Sequence, residues 1–388
     1  MRLTRTRAGA AGAHPVSHVP TRGRGRGRVR LVAVAASLSL VLALAWAGAG
    51  SASAATVTIL HPGANVLAAL QALRAGDTLE LAPGTYNTGY IRAVGMANGT
   101  PDAQITITAQ NPAQPPLLVG GLELYNPTYV ALRHLRIQAT VATLSALTIQ
   151  GGTGWTVDSS EFWGALATNA YANVVISGTG GYPRAFTFTQ NCVHDAAQSS
   201  RAATTDHNLY VNFQGSTLTG GLIARNTMWN APHGENIKLG DGGLDGALGP
   251  WNVRVANNTL VLGGRQILLH ANVRDNTIIG NLFYDATAPF VSNPQTTQVY
   301  IHDVIGPGNS FSDNYWSTST MFIYNPLNAV TVGAGNVAGP NPAFAAPNSC
   351  AGWRQTAAAA LPYGRWGTSS YTPPSVPTPE RRTGAFWQ

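Results

Sequence analysis

Lys238 is the only lysine in a chain of 388 residues that holds 23 lysines and arginines together. Arginine carries the same charge but stays protonated, whereas a lysine loses its proton when its surroundings disfavour the charge. A single lysine where arginine is otherwise used points to general-base chemistry at that position, and the alternative is chance, one exposed lysine on a strand face. Its sequence neighbours are polar: Asp206-His207-Asn208-Leu209-Tyr210, Glu235-Asn236-Ile237-Lys238 and Arg265-Gln266. Such a set suits β-elimination on a uronic acid polymer. A base takes the proton beside the carboxylate, a cation neutralises the developing negative charge, and an acid assists the departing sugar oxygen. Lys238 would be the base, and Arg265 or His207 would neutralise or protonate. Asp206, Asn208, Glu235 and Asn236 offer oxygens for Ca²⁺, and a bound Ca²⁺ would also disfavour the protonated lysine. Without a cation, Glu235 would favour a charged Lys238 and leave a simple ion pair. Tyr210, His270, Trp229 and Trp163 are the candidate substrate-binding residues.

What must position these residues is a strand that recurs in three segments: His207–Val211, Glu235–Leu239 and Arg265–Leu269. Strict alternation puts Leu209, Ile237 and Ile267 inside, with Val211, Leu239 and Leu269. It puts Asn208, Asn236 and Gln266 outside, with Tyr210, Lys238 and Leu268. His207, Glu235 and Arg265 stack where the strands begin, and Asn212, Gly240 and His270 where they end.

These strands belong to a longer repeat. Short β-prone runs carry a small polar residue two positions before a large apolar one: Ser160, Asn191, Asn226, Asn258, Asn281 and Asn314, at spacings of 31, 35, 32, 23 and 33. A fixed unit with variable insertions reads as a solenoid. Unit lengths above twenty, rich in Val, Ile, Thr, Asn and Gly, imply a coil of short strands stacked ~4.8 Å apart. The Asn column fits a turn, because Asn tolerates left-handed backbone angles and its amides can bond up the stack. The expected fold is an all-β right-handed parallel β-helix over residues 55–338. Asn65 to Arg74 reads as a short amphipathic helix with Asn65 as N-cap, placed to cover the open apolar end. A further outward column follows the Asn turn: Trp163, His194, Trp229, Val261 and Tyr284. Its aromatic members suit sugar rings or plain stacking between coils.

Residues 1–54 read as a secretory signal peptide. Arginines precede an apolar stretch from Leu31 to Ala47, and an A-x-A site follows at Ala52-Ser53-Ala54. The other reading is an uncleaved anchor. Eight of the basic residues and none of the 16 acidic ones lie in this segment, so the remainder carries 15 against 16. That balance argues against nucleic-acid binding. Export, no membrane attachment after cleavage, an acidic polysaccharide partner and a monomeric state are the corresponding expectations. Export also permits a disulfide between the two cysteines, Cys192 and Cys350. Residues 339–388 read as a Pro/Ala-rich C-terminal segment, with an extended or disordered tail from Tyr371.

The segment Gly76-Asp77-Thr-Leu-Glu-Leu-Ala-Pro-Gly84-Thr-Tyr86, then Ile105-Thr-Ile-Thr-Ala-Gln-Asn111 and the Asn-centred coils, resembles the pectate-lyase-type superfamily of β-helices. The opening is most similar to the alginate lyase and chondroitinase B family. The resemblance implies the fold over residues 56 to 320 and a lyase activity. That family carries an Arg-His-Gly segment after its lysine-bearing coil, with a catalytic Arg. Here Leu269-His270-Ala271 stands there, so His270 is kept and the Arg is not. The acidic residues before the family's lysine are matched only by Glu235. A non-catalytic glycan-binding β-helix and a β-helix glycoside hydrolase are the alternatives to a polysaccharide lyase.

Overall fold

A computed structural model describes residues 54–140, 144–165, 172–178, 181–196, 206–216, 219–241, 249–286, 296–302, 305–317, 321–325 and 329–368. The expected signal segment up to residue 53 and the tail from residue 369 lie outside the described residues.

Strands from Val57 to Gly339 wind into stacked coils. They form one 11-stranded and one 17-stranded sheet, and the named strands pair in parallel. The larger sheet supplies two faces of each coil. The second face includes Glu161–Trp163, Cys192–His194 and Leu282–Tyr284, and the third includes Ala172–Ser177, His207–Asn212 and Thr297–His302. Two long strands, Thr227–Leu239 and Thr259–His270, run unbroken across the corner between these faces. The expected inward residues are inside: Leu209, Ile237, Ile267, Val211, Leu239 and Leu269 are all 0% exposed.

The Asn column is one ladder. Asn191, Asn226, Asn258, Asn281 and Asn314 are each 0% exposed, and Asn336 extends the series. Each side-chain carbonyl accepts the backbone N–H of the equivalent residue one coil earlier: Asn226 Oδ1 from Asn191, Asn258 Oδ1 from Asn226, Asn281 Oδ1 from Asn258. Each side-chain amide donates to a strand carbonyl of the earlier coil, as Asn258 Nδ2 does to Ile223 O. The backbone of the corner is thus satisfied by the neighbouring coil. The left-handed conformation falls one residue earlier than the column: Gln190, Arg225, Asn257 and Asp313 have φ between 52° and 57°. The ladder Asn is therefore selected for its amide rather than for its backbone freedom.

A second ladder stands at the corner between the second and third faces, and it corrects the outward placing of Asn208, Asn236 and Gln266. All three are 0% exposed. Asn208 Nδ2 donates to Trp229 O at 2.9 Å and to Asn236 Oδ1 at 2.6 Å. Asn236 Nδ2 donates to Val261 O at 2.9 Å and to Gln266 Oε1 at 2.5 Å. Strict alternation assumes a straight strand, and here the chain turns at these residues.

The helix α1, Val66–Ala72, has Asn65 as its cap, accepting from Ala68 N at 3.0 Å. Behind it Asp77 accepts from Thr56 N, Thr56 Oγ1 and Arg74 N, fastening the first strand to the helix exit. At the other end of the chain, Cys192 and Cys350 are bonded. Trp353, Ala360, Phe344 and Tyr363 pack over Trp229, Val261, Leu282 and Tyr315, so residues 340–368 cover part of the second face.

Asn258→Leu should lower the unfolding free energy by about 3 kcal/mol or more, because it strands the Asn226 N–H and the Ile223 carbonyl in the interior. Urea unfolding checks this, and a loss under about 1 kcal/mol would contradict the ladder's role. Reducing Cys192–Cys350 should cost about 2–5 kcal/mol and open residues 340–368 to proteases before the coils. Simultaneous digestion of both would contradict that order.

Candidate functional site

Lys238 lies on the third face between Tyr210 and Leu268 in adjacent coils. Tyr300 follows Leu268 and Tyr324 follows Tyr300 in the same column. The lysine side chain is 13% exposed. Its Nζ sits 4.6 Å from the Tyr210 ring centroid and 4.0 Å from Asp241 Oδ1. Burial pushes the Lys238 ammonium below its ordinary value, and Glu235 and Asp241 only partly offset it. Gly240 ends the strand at φ 92°, where a Cβ would meet His270 O.

Beneath the lysine is a buried charge cluster. Glu235 and Arg265 are each 1% exposed and His207 is 0% exposed. Arg265 Nε is 3.8 Å from Glu235 Oε1, and its guanidinium lies 4.2 Å from the Tyr300 ring centroid. His207 Nδ1 is 2.7 Å from Glu235 Oε2 and 3.1 Å from the Glu235 amide nitrogen. A protonated ring nitrogen donates to the carboxylate and a bare one accepts from the amide, so these contacts belong to different protonation states. His207 Nε2 makes no hydrogen bond among the described residues. Burial alone would raise the Glu235 carboxyl, but His207, Arg265 and Lys238 outweigh it and hold it below its ordinary value. Burial lowers Arg265 to about 10 against the pull of Glu235 and Tyr300.

The structure therefore brings Lys238, Tyr210, Glu235, His207 and Arg265 together, with all but Lys238 buried. Asp241 and Tyr300 join them. Tyr300 continues the Tyr210, Lys238 and Leu268 series one repeat further, a signal that the strand pattern contained. His270 lies in the adjacent column, its ring 4.4 Å from that of His302.

The oxygen set considered for Ca²⁺ does not fit one. Asn208 Oδ1 accepts from Asn173 Nδ2, and Asn236 Oδ1 accepts from Asn208 Nδ2. Glu235 is matched by Arg265 and His207. Asp206, 1% exposed, lacks the other three as co-ligands.

Trp163 and Trp229 are on the second face, away from Lys238, and the outward placing of Trp229 is corrected. Trp229 is 8% exposed, stacked on His194 at 4.7 Å and covered by Trp353 at 6.1 Å. Trp163 takes the His194 ring at 5.7 Å and the Arg136 guanidinium at 5.2 Å. The column stacks coils and carries the C-terminal segment. His194 at its centre has Asp195 Oδ2 at 2.8 Å on Nδ1 and Glu161 Oε1 at 3.1 Å on Nε2. Burial pulls the imidazole down, but the two carboxylates outweigh it and hold it above its ordinary value.

No family model matches the sequence, and no curated protein matches it. Among solved structures, the chain is similar to pectate lyase Pel9A, with a TM-score of 0.52 and 12% identity over 80% of this chain and 91% of that one. It is also similar to an alginate lyase from Paenibacillus sp. str. FPU-7, with a TM-score of 0.48 and 15% identity over 71% and 99%. The fold is a right-handed parallel β-helix. At these identities the likeness concerns the path of the chain. Among the described residues of this β-helix, no helix is long and apolar enough to cross a membrane.

The His194 clamp predicts a pH-dependent stability. Because the folded imidazole is held above its ordinary value, its stabilisation is complete below about pH 6.5 and is lost as pH rises through the folded value. His194→Gln should remove that dependence from a series of melting curves between pH 5 and 9, taken as a rough range around the ordinary value. A wild type whose melting temperature does not fall over the upper part of that range would contradict a charged His194.

Proposed function

We propose that this chain is an exported polysaccharide lyase that cleaves a uronic-acid-containing polymer by β-elimination, with Lys238 as the base. The observation that carries the reading is the only lysine of the chain, held against Tyr210 on the third face, where burial favours its neutral form. Neutral Lys238 takes the proton from the carbon beside the substrate carboxylate. The C–H electrons form the new double bond as the glycosidic C–O bond breaks. The departing oxygen takes a proton, and Tyr210, with its ring 4.6 Å from Nζ, is placed to supply it.

The buried cluster sets the charge of the base. One anion, Glu235, faces Arg265, His207 and Lys238. Arg265 stays charged and offsets Glu235, so the carboxylate does not oblige Lys238 to hold its proton. In this reading Arg265 and His207 position charge from below the surface.

Incubation with polygalacturonate, alginate and glycosaminoglycans, followed by the ultraviolet absorbance of the unsaturated product, tests the activity. Lys238→Arg should lower turnover about 10²- to 10⁴-fold while leaving the melting temperature and polymer binding near wild type. Wild-type rates in that variant would remove Lys238 as the base. Glu235→Gln removes an anion that favours protonated Lys238, so the rising limb of the pH–rate profile should move to lower pH. A shift to higher pH would contradict the charge balance. If the wild type yields no unsaturated product from any of these polymers, the lyase reading fails.

A further inference from the structure

The column that holds Lys238 extends five coils towards the N-terminal end. The register runs from Lys238 to Tyr210, Val175, Thr148, Glu123 and Arg92. At ~4.8 Å per coil, Arg92 lies roughly 24 Å from Lys238 along the same face.

Around Arg92 the side chains form a fixed arrangement. Glu123, its carboxylate side chain 7% exposed, accepts from Arg92 Nε at 2.8 Å. It also accepts from Tyr90 Oη at 3.3 Å and from Gln150 Nε2. Arg92 Nη2 donates to Tyr125 Oη. Two of the five guanidinium N–H groups are thus used, one on Nε and one on Nη2. Nη1 and the second N–H of Nη2 are left without a hydrogen bond among the described residues, on a side chain 62% exposed. A buried anion and a phenol hold the guanidinium still while its forked end faces outward. That end matches the two oxygens of a carboxylate.

We propose that Arg92, held by Glu123 and Tyr125, is a distal subsite that binds the carboxylate of a uronate unit several residues from the bond cleaved at Lys238. The inference rests on the lyase reading, since it takes the same polymer along the same face. A chain long enough to span five coils engages both sites, and a trisaccharide at Lys238 does not reach Arg92. Binding at Arg92 therefore raises the affinity for polymer without touching the chemical step. The pairing with Glu123 leaves the local charge near neutral, so recognition depends on fork geometry as well as on charge.

The test compares wild type, Arg92→Ala and Arg92→Lys on polygalacturonate or alginate, whichever the wild type cleaves, and on the trimer of that polymer. Arg92→Ala should raise KM for polymer about five- to tenfold, the scale of one partly screened charge-assisted contact, with kcat unchanged and trimer kinetics unaltered. Arg92→Lys keeps a counter-ion for Glu123 and protects the fold, but it lacks the fork. It should still raise KM for polymer, by less. Added salt should narrow the difference between wild type and Arg92→Ala. Unchanged polymer KM in both variants, with cleavage intact, overturns the subsite and leaves the lyase reading standing. An equal rise in KM for trimer and polymer overturns it as well, because the residue would then act at the cleavage site. A wild type that cleaves no uronate polymer overturns both proposals.

Discussion

From Ser160 to Asn314, each coil of this protein depends on an amide supplied by the next. At the corner after the first face, the chain turns inside the stack, where a backbone N–H without a partner costs about 1–3 kcal/mol. Asn226, Asn258, Asn281 and Asn314 each meet that demand for the coil before them. The second ladder, Asn173, Asn208, Asn236 and Gln266, works in the opposite sense and donates to carbonyls of the coil that follows. One ladder reaches back and the other forward, so a coil is held from both sides. The result is a fixed register over many coils, and register places Lys238 beside Tyr210 and in line with Arg92.

On that frame the third face carries an uneven charge pattern. Its floor has Arg92 with Glu123 at one end, Lys238 over Glu235 and Arg265 in the middle, and the stacked pair Tyr300 and Tyr324, 5.6 Å apart, at the other. Both carboxylates are buried and each is paired with an arginine. Buried anions of this kind need a cation that cannot lose its charge, and arginine supplies one. Lysine would be the wrong residue for those two pairings.

Much of this was legible in the sequence. The spacing of Asn191 to Asn314 showed the repeat, the alternation of Ile237 and Leu239 showed the inward face, and the pairing of Cys192 with Cys350 was one of the two readings open to the only two cysteines. Two features were hidden for definable reasons. Asn208 and Asn236 read as outward because alternation presumes a straight strand, but Thr227–Leu239 turns a corner. Between Ala231 and Glu235 it also advances four residues where its partner advances two, from Gly263 to Arg265. Trp229 read as a free platform because its cover, Trp353, comes from a segment tied down 158 residues away in sequence from Cys192. Periodicity describes what lies along a strand, and it is silent about what a distant segment lays on top.

The proposed chemistry depends on the charge of one side chain, and the composition of the chain makes that charge directly measurable. Protein grown with ¹³C-labelled lysine gives one Cε resonance, because Lys238 has no other lysine to overlap it. Following its chemical shift against pH yields the midpoint of its ionisation without substrate. The account predicts a midpoint below the ordinary lysine value of about 10.4, moving lower still in Glu235→Gln. A midpoint at or above that value would contradict it, and Lys238 would then be the charged partner of Glu235 and Asp241 rather than a base.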